Sequence, residues 1–387
     1  MTAAGAVTLT RDEAAAQSLA FGTAGHALLA IEQAFNGADT WATAQRLIKQ
    51  ATAGRVDAGT HTGLYYGAPA IAFLLHTTTA DGCERFPAAR QALDVHVRRL
   101  TRRRLTAAGE RLRQDRAATF AEYDLFTGLI GVGVLLMRCA PGSDELGDVL
   151  RYVVRMVQPR YHDGVHVPGW WVDHDPDPLL PTPGGHANLG MAHGAAGLLA
   201  FLAHAARHGH TVEGQNEAIG WLCAFFDQWR QDSASGVWWP QWITRDQLRT
   251  GRPTHDGPGR PSWCYGAAGI ARAQQLAAIA TGDRTRKTTA ELTLAACLTR
   301  PQLGMLTDTG ICHGFAGLYQ TAYRAAADTT NHVIAEQLPA LAALITDAEH
   351  GGDTGFLTGN TGVALTTQTI RTGQPPQSRW DACLLIA

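Results

Sequence analysis

Residues 310–319 read GICHGFAGLY, in which Cys312 and His313 stand directly ahead of a Gly-x-x-Gly and an apolar run. The same glycine pair recurs along the chain. It lies in FGTAGHALLA at Gly22, YYGAPAIAFLL at Gly67, LFTGLIGVGVLL at Gly128 and AHGAAGLLAFL at Gly194. It returns in CYGAAGIARAQ at Gly266, CHGFAGLYQTA at Gly314 and LTGNTGVALTT at Gly359. One such pair says nothing in a chain with 42 glycines, but seven, each leading into an apolar run, are an internal repeat. Only the second departs, with Ala70 in place of the last glycine.

Successive first glycines are 45, 61, 66, 72, 48 and 45 residues apart, and about 45 residues fits two ordinary helices with their connections. The runs after the glycines are apolar nearly all round, as buried helices are. Between them lie amphipathic candidates at 40–51, 143–157 and 331–345, the second capped by Ser143 with acids in its first turn. Alternating buried and amphipathic helices in seven pairs predict an all-α fold, an α/α toroid of about seven inner and seven outer helices. An open solenoid is the competitor. Both terminal repeats carry the glycine motif rather than a polar cap, which favours closure, with residues 1–387 as a single domain. The glycines are expected where backbones approach closely at crowded helix ends.

The chain of 387 residues, 45% hydrophobic and 17% charged, can bury a large core. A formal net charge of −2 implies no general attraction to nucleic acid. No run of 18 apolar residues offers a membrane span, and the opening lacks a basic start followed by an apolar block, so a cytoplasmic protein is expected. Seven dispersed cysteines, an odd number without a C-x-x-C pair, do not form a disulfide framework and are expected to act as thiolates if they act at all.

If the inner helices run parallel, the residues just before each glycine pair gather around one mouth. Phe21, Tyr66 and Thr358 read as structural there, whereas His193, Cys264 with Tyr265, and Cys312 with His313 bring chemistry to the middle repeats. Tyr123-Asp124 stands four residues ahead of Gly128. Cys264, Cys312 and His313 make a two-sulfur, one-nitrogen set that suits one zinc ion with a fourth position open.

The long spacings before the fourth and fifth repeats hold segments rich in Trp, Gly, Pro, Asp and His, placed to wall or cover the mouth. Trp170, Trp171, Trp238, Trp239 and Trp242 either face a peptide or pack these loops onto the rim. His162, His166, His174, His186 and His255 read as surface residues rather than ligands. Arginines 98, 99, 102, 103, 104, 111, 113 and 116 form a basic stretch, read as a solvated helix face, with docking of an acidic peptide segment as the alternative.

NLGMAHGAAG, SWCYGAAG and GICHGFAG, in this order, resemble the lanthionine synthetase C-like (LanC) cyclases, and the ending RWDACLLI is similar to that family's C-terminus. The resemblance implies a seven-fold α/α toroid holding one zinc through Cys264, Cys312 and His313. It further implies a catalytic histidine at His193, an aspartate at Asp124, and an arginine and a tyrosine at Arg260 and Tyr265. The implied reaction adds a cysteine thiol of a dehydrated precursor peptide, carrying its leader, to dehydroalanine or dehydrobutyrine, forming a lanthionine or methyllanthionine ring. A dehydratase and an exporter at the membrane are the partners the family implies. Some members bind a small thiol such as glutathione outside lanthipeptide biosynthesis, which is the alternative function. A toroidal glycosidase is a further rival, but Asp124 lacks a partner acid at an equivalent position.

Overall fold

The structure, a computed structural model, is described for residues 9–177, 179–255, 257–348 and 351–387. Residues 1–8, read above for a targeting signal, lie outside that range. Seven inner helices follow the seven glycine pairs: α1 (Thr23–Phe35), α2 (Ala68–Thr77), α3 (Leu129–Cys139), α4 (Ala195–Arg207), α5 (Ala267–Thr281), α6 (Phe315–Ala327) and α7 (Asn360–Thr372). Each packs on the next, and α7 packs on α1, so the array is a closed toroid rather than an open solenoid.

An outer helix follows each of α1 to α6, at Trp41–Ala51, Pro87–Arg113, Asp144–Met156, Gln215–Trp229, Arg284–Cys297 and Leu338–Thr346. Before α1 stands a short helix, Arg11–Ala16, closed by a capping box between Thr10 and Glu13. Among the described residues the outer ring thus holds six full helices and this short one. The helix expected over 331–345 starts later, at Leu338, because Pro339 has no N–H to give and belongs in a first turn. Ser143 caps its helix as expected, its Oγ accepting from the Leu146 amide.

The first glycine of each pair is the N-cap of its inner helix. The last glycine is needed for a contact within its own repeat. A Cβ on Gly317 would sit 1.8 Å from the carbonyl oxygen of Ile311, in the loop that turns into α6. The second repeat escapes this constraint by another route: Gly67 is left-handed, with φ 71, and Ala70 is fully buried.

Residues two positions ahead of these glycines are joined by backbone hydrogen bonds that run round the mouth. The Tyr65 amide donates to Phe126 O at 3.3 Å, Ala192 to Cys264 O at 3.2 Å, Cys264 to Cys312 O at 3.2 Å, and Cys312 to Leu357 O at 2.7 Å. Leu357 donates to Ala20 O at 3.1 Å, and the adjacent Leu19 and Leu125 close the remaining gaps through Tyr65 O and Ala192 O. Buried backbone groups need partners, and here each repeat satisfies its neighbour, which fixes the height of every mouth residue.

The other end is filled by the C-terminal segment. Asp381, fully buried, accepts from Arg324 at 2.6 and 2.7 Å and from Gln320 at 2.7 Å on α6. Arg272 of α5 donates to Ile386 O, Trp263 Nε1 to Leu384 O, and Tyr65 OH to Cys383 O. Glu32 of α1 accepts from the Ser378 amide and hydroxyl. Residues 378–386 thus plug the ring's interior and tie opposite repeats together.

The two long insertions carry the β-structure. Arg160–His162 pairs with Val165–Val167, and Gln231–Ser233 with Gly236–Trp238, as hairpins. His186–Asn188 pairs with Trp242–Thr244, joining one insertion to the other. Trp170, Trp171, Trp238 and Trp239 are buried, so packing of the loops accounts for them. His186 is buried rather than on the surface, a correction to the sequence reading. It lies in the strand linking the insertions, and burial lowers its pKa to about 4.

Candidate active site

Cys264, Cys312 and His313 reach the mouth from consecutive repeats, and their ligand atoms all lie within 4.8 Å of one another. The Cys264–Cys312 backbone bond places the two sulfurs side by side before any side chain is considered. The hydrogen bond from the Cys312 thiol, aided by His313, holds Cys264 well below the ordinary thiol range. The same bond and burial push Cys312 up. The bond to Cys264 raises His313 above the usual imidazole value. The cluster thus favours a thiolate at Cys264 even before a metal adds its charge.

Two thiols and one imidazole, one of them buried and two partly exposed, fit zinc, whose structural and catalytic sites draw on these donors. Asp308, which the sequence reading did not single out, has Oδ2 3.3 Å from His313 Nε2, leaving Nδ1 as the nitrogen available to a metal. A carboxylate behind a metal-binding histidine fixes its tautomer and orientation. Its only sequence signal is its place in the loop ahead of Gly314, matched by Asp353 ahead of Gly359. All seven cysteines are free thiols, as expected.

His193 occupies, in the fourth repeat, the position that His313 and Tyr265 hold in theirs. Its Nδ1 lies 2.7 Å from Asp124 Oδ2. Asp124 is 2% exposed, and its Oδ1 accepts from the Thr127 amide at 2.8 Å, the Thr127 hydroxyl at 3.1 Å and the Gly128 amide at 2.8 Å. A carboxylate held so firmly fixes the Nδ1–H tautomer and leaves Nε2 to receive or give a proton. Phe120 and Phe126 both stack on the imidazole, with ring centroids at 5.0 Å. Tyr123 OH donates to the His193 carbonyl at 2.8 Å, so the Tyr-Asp pair steadies both ends of this histidine.

Tyr265 lies between the two groups. Its ring centroid is 6.0 Å from that of His193, and burial raises its pKa, with the neighbouring Cys264 and Cys312 adding to the effect. Arg260 is close enough for its charge to act on Cys312 and His313, where it opposes part of the rise that the Cys264 bond imposes on each. All seven expected site residues are therefore brought to one mouth, in two groups linked by Tyr265.

The basic stretch divides. Arg98 and Arg102 pair with Glu145, whose carboxylate is 2% exposed, and Arg111 is buried against Glu122. Arg104 turns inward: its guanidinium donates to Thr60 O and Thr62 O at 2.6 Å and also to Thr127 O. It therefore clamps the peptide segment that holds Asp124. No charge count distinguishes Arg104 from its neighbours in the sequence.

No helix among the described residues is long and apolar enough to cross a membrane. The family model for lanthionine synthetase C-like proteins matches residues 13–385. The nisin biosynthesis protein NisC of Lactococcus lactis subsp. lactis is 27% identical over 139 residues, 36% of this chain and 33% of that protein. The match spans about a third of that relative. A solved nisin cyclase superposes with a TM-score of 0.81 at 20% identity, covering 96% of this chain and 92% of the other. The chain belongs to the lanthionine synthetase C-like family.

Proposed function

We propose that the protein is a zinc-dependent peptide cyclase. It adds a cysteine thiol to a dehydroalanine or dehydrobutyrine of the same peptide, forming a lanthionine or methyllanthionine ring. The observation that carries this reading is one mouth holding both a Cys264–Cys312–His313 donor set and the Asp124–His193 pair. Family membership supports the same chemistry.

Zinc bound by Cys264, Cys312 and His313 would lower the pKa of a substrate thiol, which is otherwise about 8.5 and mostly protonated at neutral pH. His193 Nε2 is the group suited to move protons, with Asp124 holding its tautomer. The sulfur bonds to the β-carbon, the alkene pair shifts to the α-carbon, and a proton ends there in place of the one the thiol lost. No oxidant or reductant is required. Arg260 and Tyr265 supply a cation and an O–H donor for the negative charge that develops on the enolate oxygen. The substrate must come from an enzyme that dehydrates serine and threonine in the precursor peptide.

The test is ring formation on a dehydrated peptide bearing one free cysteine, read as loss of alkylatable thiol without a change in mass. Wild type should close the ring and His193→Ala should not. Addition of glutathione to the peptide, with no ring formed, would replace this reading with a small-thiol role.

A further inference from the structure

One face of the helix Pro87–Arg113 runs toward the mouth carrying uncompensated positive charge. Ala88, Ala92, Arg99, Arg103 and Ala107 recur at helical spacing along it, the first three on one open stretch of surface and the last two on the next. The second stretch also takes in Arg116 and Thr119. Thr119 precedes Phe120, whose ring stacks on His193. The face therefore ends beside the catalytic pair.

Arg99, Arg103, Arg113 and Arg116 are exposed and have no ion pair among the described residues. The nearby acids are mostly engaged: Asp94 by His76, Glu122 by Arg111 and Tyr152, and Asp115 by Arg160. Among the described residues, Glu110 is the one nearby acid with no ion pair, against four arginines. Burial, together with the charges of Arg99 and Arg103, holds His96 on this face below its usual pKa. The alanines keep the surface low, so an extended chain can lie against it.

We propose that this face binds an acidic, extended segment of the peptide substrate and leads it to the mouth. This rests on the reading that the substrate is a peptide. From Ala88 to Ala107 the helix rises about 28 Å, the span of about eight extended residues.

The experiment is fluorescence anisotropy on the full chain. Its probes are an eight-residue peptide of alternating Asp/Glu and Gly/Ser, its Asn/Gln counterpart, and a single-stranded oligonucleotide of equal charge. Wild type should bind the acidic peptide roughly tenfold or more tightly than the neutral one, and Arg99→Glu/Arg103→Glu should abolish the preference. Unchanged thermal melting certifies the variant's fold, with Arg99→Gln/Arg103→Gln used if the reversal does not fold. Equal binding of acidic and neutral peptides, a preference that survives the substitutions, or equally tight oligonucleotide binding would each overturn the proposal. Selective binding without ring formation would count against the cyclase reading alone, and ring formation with unselective binding against this face alone.

Discussion

The Cys264 amide donates to the Cys312 carbonyl across 3.2 Å, so the fold presents two thiols from adjacent links of one backbone ring. A donor set supported in this way should be preformed. We expect about one zinc per purified chain by mass spectrometry, lost in Cys312→Ala while helical content is retained. Where free zinc exceeds its dissociation constant a thousandfold, removing the metal should cost about 4 kcal/mol of stability. Stoichiometric zinc in the folded variant would rule out Cys312 as a ligand.

Asp124 holds His193 with one oxygen and takes three donors from Thr127 and Gly128 with the other. Asp124→Asn should therefore weaken catalysis through the tautomer rather than through the fold. Its kcat for ring formation should fall about 10²- to 10⁴-fold, with zinc content unchanged. An Asp124→Asn enzyme that retains wild-type kcat would remove Asp124 from the proton-moving pair.

The inner ring was legible because each glycine pair meets a local steric demand, such as that of Gly317 against Ile311 O, which any repeat must meet in the same way. The clustering of Cys264, Cys312 and His313, and the place of His193, were legible because polar residues stand out against apolar ones at equivalent positions. The C-terminal plug was not, since its partners lie on helices far apart in sequence and its carbonyls carry no side-chain signal. Nor was the strand shared by the two insertions, whose pairing of His186 with Thr244 crosses a whole repeat. Arg104 sits in a run of arginines, and only the helix's rotational setting decides which of them turns inward.

Arg104 supplies a test of that setting. Burial pulls its pKa down to about 10, yet it remains a cation at neutral pH while its guanidinium donates to carbonyls of two loops. Arg104→Leu leaves those carbonyls unpaired and should cost about 1–3 kcal/mol in a denaturant melt. It should also slow ring formation, because the Thr127 segment supports Asp124. Arg104→Lys should restore little, since one ammonium lacks the planar fork that spans several acceptors. Full rescue by lysine would mean that charge alone, not the clamp, is what matters.

The plug should make the fold sensitive to acid through His204. This residue on α4 is buried, with Nε2 3.2 Å from Leu385 O. Burial, reinforced by the charges of Arg272 and Arg207, lowers its pKa to about 3. The unfolded chain, with an imidazole pKa near 6.5, takes up a proton that the folded chain refuses. Its contribution is therefore fully present above about pH 6.5 and is lost as pH falls from there toward 3, with a limiting slope of about 1.4 kcal/mol per pH unit. Urea midpoints at pH 7.5, 6 and 5 should fall more steeply for wild type than for His204→Gln. The variant, less stable at pH 7.5 for want of the imidazole's packing, should close part of the gap at pH 5. Parallel pH profiles for the two proteins would mean that His204 takes up its proton as readily in the folded chain as in the unfolded one, and that the plug tolerates a third cation beside Arg207 and Arg272.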